Sequence, residues 1–320
     1  MKLKKLYEEV IRIGIDNDPR GKSEVTKILK EREKEYQSID KKEQDYFDLE
    51  KLRSPFSDTR ILFGDLETEV KNVLIGIDVE GPEILLADRL REKGKKIDLA
   101  ISHHPEGIGL ANLADVMSVH SDILSSLGVA TSIAESLIAD RAAEVSRRLL
   151  PANHMRSVAF AQLLNIPFMS IHTAADNCVN SYLGALLNKK KPESLGDTID
   201  ILLTIKEYQD AASINAGPRI VAGSKKNKAA KILVDMTGGT ETSKDVFSKI
   251  AASGVSTIIC MHLSEEHLKK VKEAHLNAII AGHISSDNLG LNLLFDKVEQ
   301  KQKLNFIECS GFKRIRRLKK

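Results

Sequence analysis

Residues 71–105 read KNVLIGIDVEGPEILLADRLREKGKKIDLAISHHP, and this stretch decides the fold. The run 73–79 is short, apolar and rich in Val and Ile, which suits a buried strand. Gly81-Pro82 then opens a helix carrying Ile84, Leu85, Leu86 and Leu90, because Pro presets φ in a first turn where its missing N–H costs nothing. Residues 99–102 make the next strand, with His103-His104-Pro105 at its carboxyl end. A strand, a helical crossover and a second strand form the unit from which parallel sheets are built.

Beyond this unit the same alternation returns. A helix-rich stretch to Leu164 is followed by a strand at 168–171, a helix at 177–187 and a loop or linker at 189–196. Further strands fall at 232–236, 255–260, 278–281 and 304–309, separated by helices at 243–252, 265–275 and 289–295. The pattern predicts an α/β fold with mixed sheets flanked by helices. Residues 1–56 have a different texture. Leu3, Leu6, Tyr7 and Val10 keep helical spacing until Gly14 and Pro19, and Val25, Ile28, Leu29, Arg32 and Tyr36 form a second stripe. They are expected to form a helical extension, either a packing arm or a partner-binding helix. The α/β domain is expected over 57–320, its two halves meeting near 189–230.

Composition narrows the function classes. Hydrophobic residues at 42% and charged residues at 29% allow a core and a solvated surface. No apolar run reaches the about 18 residues that a membrane helix needs, and no signal peptide is evident, so a cytoplasmic protein is expected. The absence of Trp and an aromatic share of 4% argue against a stacking platform for single strands. A net charge of +3, from 48 basic and 45 acidic residues, gives no field that implies nucleic acid. The basic tail 313–320 reads as a solvated end or as a phosphate or RNA contact. Cys178, Cys260 and Cys309 make neither a CxxC pair nor a disulfide framework.

The histidines carry the chemistry. Four short apolar runs each end in one, at His103-His104, His172, His262 and His283. In open α/β sheets, sites form beyond the carboxyl ends of strands. Asp176 follows His172 by four residues and Asp287 follows His283 by four, a spacing at which each pair can share a helical face or flank one turn. Imidazole with carboxylate suits Zn, Fe or Mn, and a carboxylate can bridge two ions. Asp176, lying between the two halves of the site, is the expected bridge. Asp287 could instead cap the helix that carries Leu289 and Leu293.

Three motifs, Ser102-His103-His104-Pro105, His172-Thr173-Ala174-Ala175-Asp176 and Gly282-His283-Ile284-Ser285-Ser286-Asp287, resemble those of the Nif-three-like family. Members of that family are also labelled GTP cyclohydrolase 1 type 2 or NGG-one-interacting factor three homologues. The resemblance spans residues 71–312 and leaves out the first part of the chain. It implies two interlocked α/β halves, a homohexamer, and two divalent metal ions per chain at His103, His104, Asp176, His283 and Asp287. The family usually has Glu at the last position, so Asp287 is a departure that shortens one arm. Residues 105–164 also lack the Leu/Ile-Phe usual after HHP.

The function expected on this basis is a dinuclear metal-dependent hydrolase acting on a nucleotide or phosphoester, with His172 as proton shuttle. The alternative is a non-catalytic metal-binding interaction or metal-delivery protein. Thr237, Gly238, Gly239 and His262 are the expected substrate contacts, the glycines forming a tight turn or an anion cradle. His120 is expected to be structural or part of a lid, and His154, His267 and His275 to lie at the surface.

Overall fold

The computed structural model describes residues 1–317. Its strands are β1 (Arg60–Phe63), β2 (Asn72–Gly76), β3 (Leu99–Ser102), β4 (Phe168–Ser170), β5 (Arg219–Ala222), β6 (Ile232–Asp235), β7 (Thr257–Cys260), β8 (Asn277–Ile280) and β9 (Asn305–Glu308). They form a five-stranded sheet of order β1-β4-β3-β2-β9 and a four-stranded sheet of order β5-β8-β7-β6. Both are mixed sheets flanked by helices. In each, one edge strand is antiparallel, β1 on β4 and β5 on β8, and all other neighbours are parallel.

The parallel register aligns the carboxyl ends. Gly76 pairs with Ser102 and Ser102 with Ser170, so the segments after β2, β3 and β4 emerge side by side. Asp235, Cys260 and Ile280 align likewise in the second sheet. Both antiparallel edges escape the sequence pattern. Each has four residues, opens on Arg and carries a register shift, too short and irregular for periodicity to reveal.

The five longest helices are α1 (Leu3–Asp16), α2 (Lys22–Ser38), α3 (Thr131–Leu149), α4 (Thr173–Lys190) and α5 (His283–Val298). Two of them interlock the halves. Ala174, Ala175 and Cys178 of α4 pack with Val73, Ile75 and Ile101 of the first sheet. One turn on, Val179, Leu183 and Leu187 pack with Ile259 and Ile279 of the second. In α5, Leu289 belongs to the second core and Leu291, Leu294, Phe295 and Val298 to the first. The chain then closes the first sheet as β9, beside β2. The α1 helix buries Leu3, Leu6, Val10 and Ile13 in that same first core.

Residues 113–149 reach from the first half across to the second sheet, where Met117, Leu124, Val129 and Ile138 meet Val246, Phe247 and Ile250. The linker expected at 189–196 is shorter than read, because α4 runs to Lys190 and a capping box on Ser194 and Asp197 starts the next helix. The basic tail is not a solvated end as far as Arg317. The Arg314 side chain is 2% exposed and pairs with Asp296 at 2.6 Å and Glu299 at 2.8 Å. Arg316 joins Glu299, and Arg317 pairs with buried Glu207. Residues 318–320 lie outside the described residues.

The crossing of α4 and α5 depends on one small residue. A Cβ on Gly290 would sit 2.6 Å from the Ala175 carbonyl oxygen, a backbone atom that cannot rotate away. Gly290→Ala is therefore expected to destabilise the chain by about 1–3 kcal/mol through overpacking, outweighing the better helix propensity of Ala. Scanning calorimetry of the metal-stripped variant measures it; a melting temperature equal to the wild type would show that the helices can part freely.

Candidate metal centre

The helices α4 and α5 begin just beyond the ends of β4 and β8; His172 is the residue before α4, four before Asp176, and His283 opens α5, four before Asp287. Their first turns mix site-facing polar residues with small or isolated apolar ones, so the hydrophobic pattern places both helix starts several residues too late. The His103-His104 pair comes from the turn after β3. Ser102 holds that turn, its Oγ donating to the His104 carbonyl at 2.7 Å.

The structure brings His103, His104, His172, Asp176, His283 and Asp287 together. His103 Nε2 lies 3.4 Å from Asp176 Oδ1 and 3.5 Å from Asp287 Oδ1. His104 Nε2 and His283 Nε2 lie 3.4 Å and 3.6 Å from Asp287 Oδ2. His172 Nε2 lies 3.8 Å from Asp176 Oδ2. Two overlapping groups have the donors for an ion, His103, His172 and Asp176 or His103, His104 and Asp287, and His103 Nε2 can serve one of them at a time. Asp287 faces three of the histidines and Asp176 faces two. The capping alternative for Asp287 does not hold. It sits a full turn inside α5, and neither of its oxygens accepts a hydrogen bond.

The imidazoles are oriented from behind. His103 Nδ1 is 2.8 Å from the Ile171 carbonyl oxygen, His104 Nδ1 is 2.6 Å from Asp78 Oδ1, and His172 Nδ1 is 2.8 Å from Asp58 Oδ2. An oxygen on Nδ1 holds a proton there and leaves Nε2 as the atom that faces the site, the arrangement metal-ligating histidines use once Nε2 gives up any proton of its own. Sequence reasoning misses Asp58 and Asp78. Both lie on loops next to strand ends, and nothing local marks them. Asp58 is fully buried and also accepts from Thr173 Oγ1 at 2.6 Å.

The electrostatics fit a cation. His103 Nε2, Asp176 Oδ1 and both Asp287 oxygens are buried without a hydrogen-bond partner. Groups of this kind are rarely left unpaired in a native interior. Burial opposes charge on His103, but Asp287 and Asp176 outweigh it and push the imidazole up to about 10. Burial likewise works against Asp287, and His103, His104 and His283 hold it far below the usual carboxylate range. Burial lowers His283, which leaves its ring neutral and free to ligate. The donor set, imidazole nitrogens with carboxylates, suits divalent transition metals.

A cleft runs from His172, Asp176 and His283 toward the turn after β6 and toward His262. Thr237, Gly239 and His262 all line it. Gly238 lies beneath, at φ +100°, where a Cβ would meet His120 Nε2 at 2.3 Å. His120 is therefore structural: it is buried and its Nε2 bonds the Thr240 carbonyl oxygen at 3.2 Å. The ring of His262 lies 4.7 Å from that of His283. His267 is not a surface residue. It is 5% exposed and fixed between Ser264 Oγ and the Thr242 carbonyl oxygen.

Known proteins share this fold. No curated protein matches the chain. The crystal structure of a NIF3 superfamily protein from Sphaerobacter thermophilus matches with a TM-score of 0.67 and 26% identity, over 82% of this chain and 95% of that one. Reduced HcgD from Methanocaldococcus jannaschii has a similar fold, with a TM-score of 0.50 and 17% identity over 78% and 88%. The family model for Duf34/NIF3 (NGG1p interacting factor 3) matches residues 150–313, the region that holds α4, the second sheet and α5. With motifs, topology and family model in agreement, the chain belongs to the Duf34/NIF3 family.

Proposed function

We propose that this protein is a metal-dependent hydrolase of a small molecule, with two divalent ions held by His103, His104, Asp176, His283 and Asp287. The observation that carries the reading is the group of buried, mutually facing donor atoms on His103, Asp176 and Asp287 that have no hydrogen-bond partner. Divalent ions there, Zn, Fe or Mn, would supply Lewis acidity toward a substrate oxygen. The chain's own residues do the rest. His172 presents Nε2 to the cleft and can take up or give a proton, while Asp58 holds its Nδ1 and stabilises the charge it gains. Asp78 fixes the His104 ring. Thr237, Gly239 and His262 offer polar contacts to the remainder of the substrate, and Gly238 shapes the turn.

The test is a screen of phosphoesters and nucleotides with protein of measured metal content. Turnover that stops on chelation and returns on metal addition supports the reading. A loaded protein that turns over none of them favours metal storage or delivery. Metal uptake should also release protons, because a cation must displace the one that Asp287 and Asp176 retain on His103. Affinity should therefore fall from pH 8 to pH 6, which calorimetry in buffers of different ionisation enthalpy will measure.

We further propose a closed homo-oligomer, a hexamer, to which the small net charge offers little opposition. Several large apolar side chains are exposed on the single chain, Leu163 at 86% and Leu150 at 79% among them. Light scattering that gave only monomer at micromolar concentration would overturn this. No helix among the described residues is long and apolar enough to cross a membrane. All three cysteines are unpaired thiols, which fits work in the reducing cytoplasm.

A further inference from the structure

The turn after β6 has two features that the metal centre does not explain. Gly238 and Gly239 follow one another at φ +100° and +81°, a conformation open to glycine that keeps this turn out of helix and strand pairing. From residue 237 to residue 243 no backbone N–H donates to any acceptor among the described residues. Thr237, Gly238, Thr242 and Ser243 are nonetheless buried. Buried amides are almost always paired, so a run of idle donors calls for an acceptor from outside the chain.

The second feature is Thr242. It is 4% exposed, lines the cleft, and its Oγ1 is buried with no hydrogen-bond partner. The turn is also rigid from behind. His120 bonds the Thr240 carbonyl oxygen, His267 bonds that of Thr242, and Thr237 Oγ1 donates to Asn177 Oδ1 at 2.6 Å. The carbonyls of Thr240 and Thr242 are thus tied back, and the amides of the turn are left over.

We propose that residues 237–243 form a cradle for a tetrahedral oxyanion, the phosphoryl group of a small-molecule substrate whose reacting end lies at the metal centre. This rests on the metal-centre reading and specifies the substrate class for that site. A phosphoryl group has the several acceptor oxygens that a run of amides and the Thr242 hydroxyl require. Two carboxylates share the cleft and moderate its field. Asp235 is raised by burial, and Glu241 accepts from the Ser264 N–H at 2.6 Å, with His262 and His267 beside it. Cations held at the metal centre would tip the balance toward an anion, so the loaded protein should bind it more tightly than the stripped one.

The test uses inorganic phosphate, titrated into metal-loaded protein and into its Thr242→Val variant, with elemental analysis of both. Val matches Thr in shape and leaves no protein partner unpaired. Weakening of phosphate binding by about tenfold at unchanged metal content is expected. Phosphate, and much less acetate, should also slow hydrogen exchange of the amides at 237–243. The cradle is overturned if loaded wild-type protein does not bind phosphate. It is equally overturned if the variant binds it as tightly and the amides gain no protection, since phosphate would then sit on the metals alone. A protein that retains no divalent ion after reloading would sink the metal reading instead, and the same titration would still decide the cradle.

Discussion

Changing His103 and His104 together to Ala should remove nearly all divalent metal from a chain expected to carry close to two ions. His103 is fully buried, and its Nε2 faces both Asp176 and Asp287, so it belongs to each of the two candidate groups. His104 supplies the only other imidazole of the second group. Five or six donors exceed what one tetrahedral ion needs, and removing two nitrogens leaves neither position with a full set. Elemental analysis before and after reloading measures the effect. Wild-type protein that stays metal-free after reloading would refute the metal centre. The double variant should be less stable when metal-free too, since Asp176 and Asp287 would then be buried near each other without His103 between them.

Asp287 gives the second large effect. Its carboxylate has both oxygens buried, no hydrogen-bond donor, and three imidazoles within 3.6 Å. Asn in its place keeps the shape but loses the charge and turns an N–H₂ toward imidazole lone pairs. Metal affinity at the His104 side should drop by more than the roughly 100-fold that even outer partners can cost, with a smaller loss at the Asp176 side. Asp287→Glu should retain metal, because rotation about the added bond can absorb one methylene. Metal titrations of the two variants decide this. Unchanged stoichiometry and affinity in Asp287→Asn would take the residue out of the site.

Much of this was legible in the sequence. The strands at β3 and β4, and those of the second sheet that are parallel, are short apolar runs bounded by polar ends, and burial on both faces requires that composition. The histidines at their carboxyl ends follow from the same geometry, because a strand end is where a rigid backbone meets open space. The i, i+4 spacing of His172 with Asp176 and His283 with Asp287 suits a helical face, and the structure sets both pairs at the opening turns of helices.

Other features had no local signal. The antiparallel edges β1 and β5 are defined by their partners, not by a pattern of their own. Asp58 and Asp78 matter only because the fold brings them 2.8 Å and 2.6 Å from imidazoles 114 and 26 residues away. How many histidines each acid faces could not be read from order along the chain. It follows from the crossing of α4 and α5, where Gly290 admits the Ala175 backbone and Asp287 is carried inward. The basic tail reads as solvated because charge usually is, yet Arg314 finds buried carboxylates on α5 and beyond it. Sequence thus determined the residue types and the ends of elements where chemistry would lie, since those are set by short-range sterics and burial. Only the tertiary structure decided which of these residues meet, because a pairing across a hundred residues is fixed by how two cores pack.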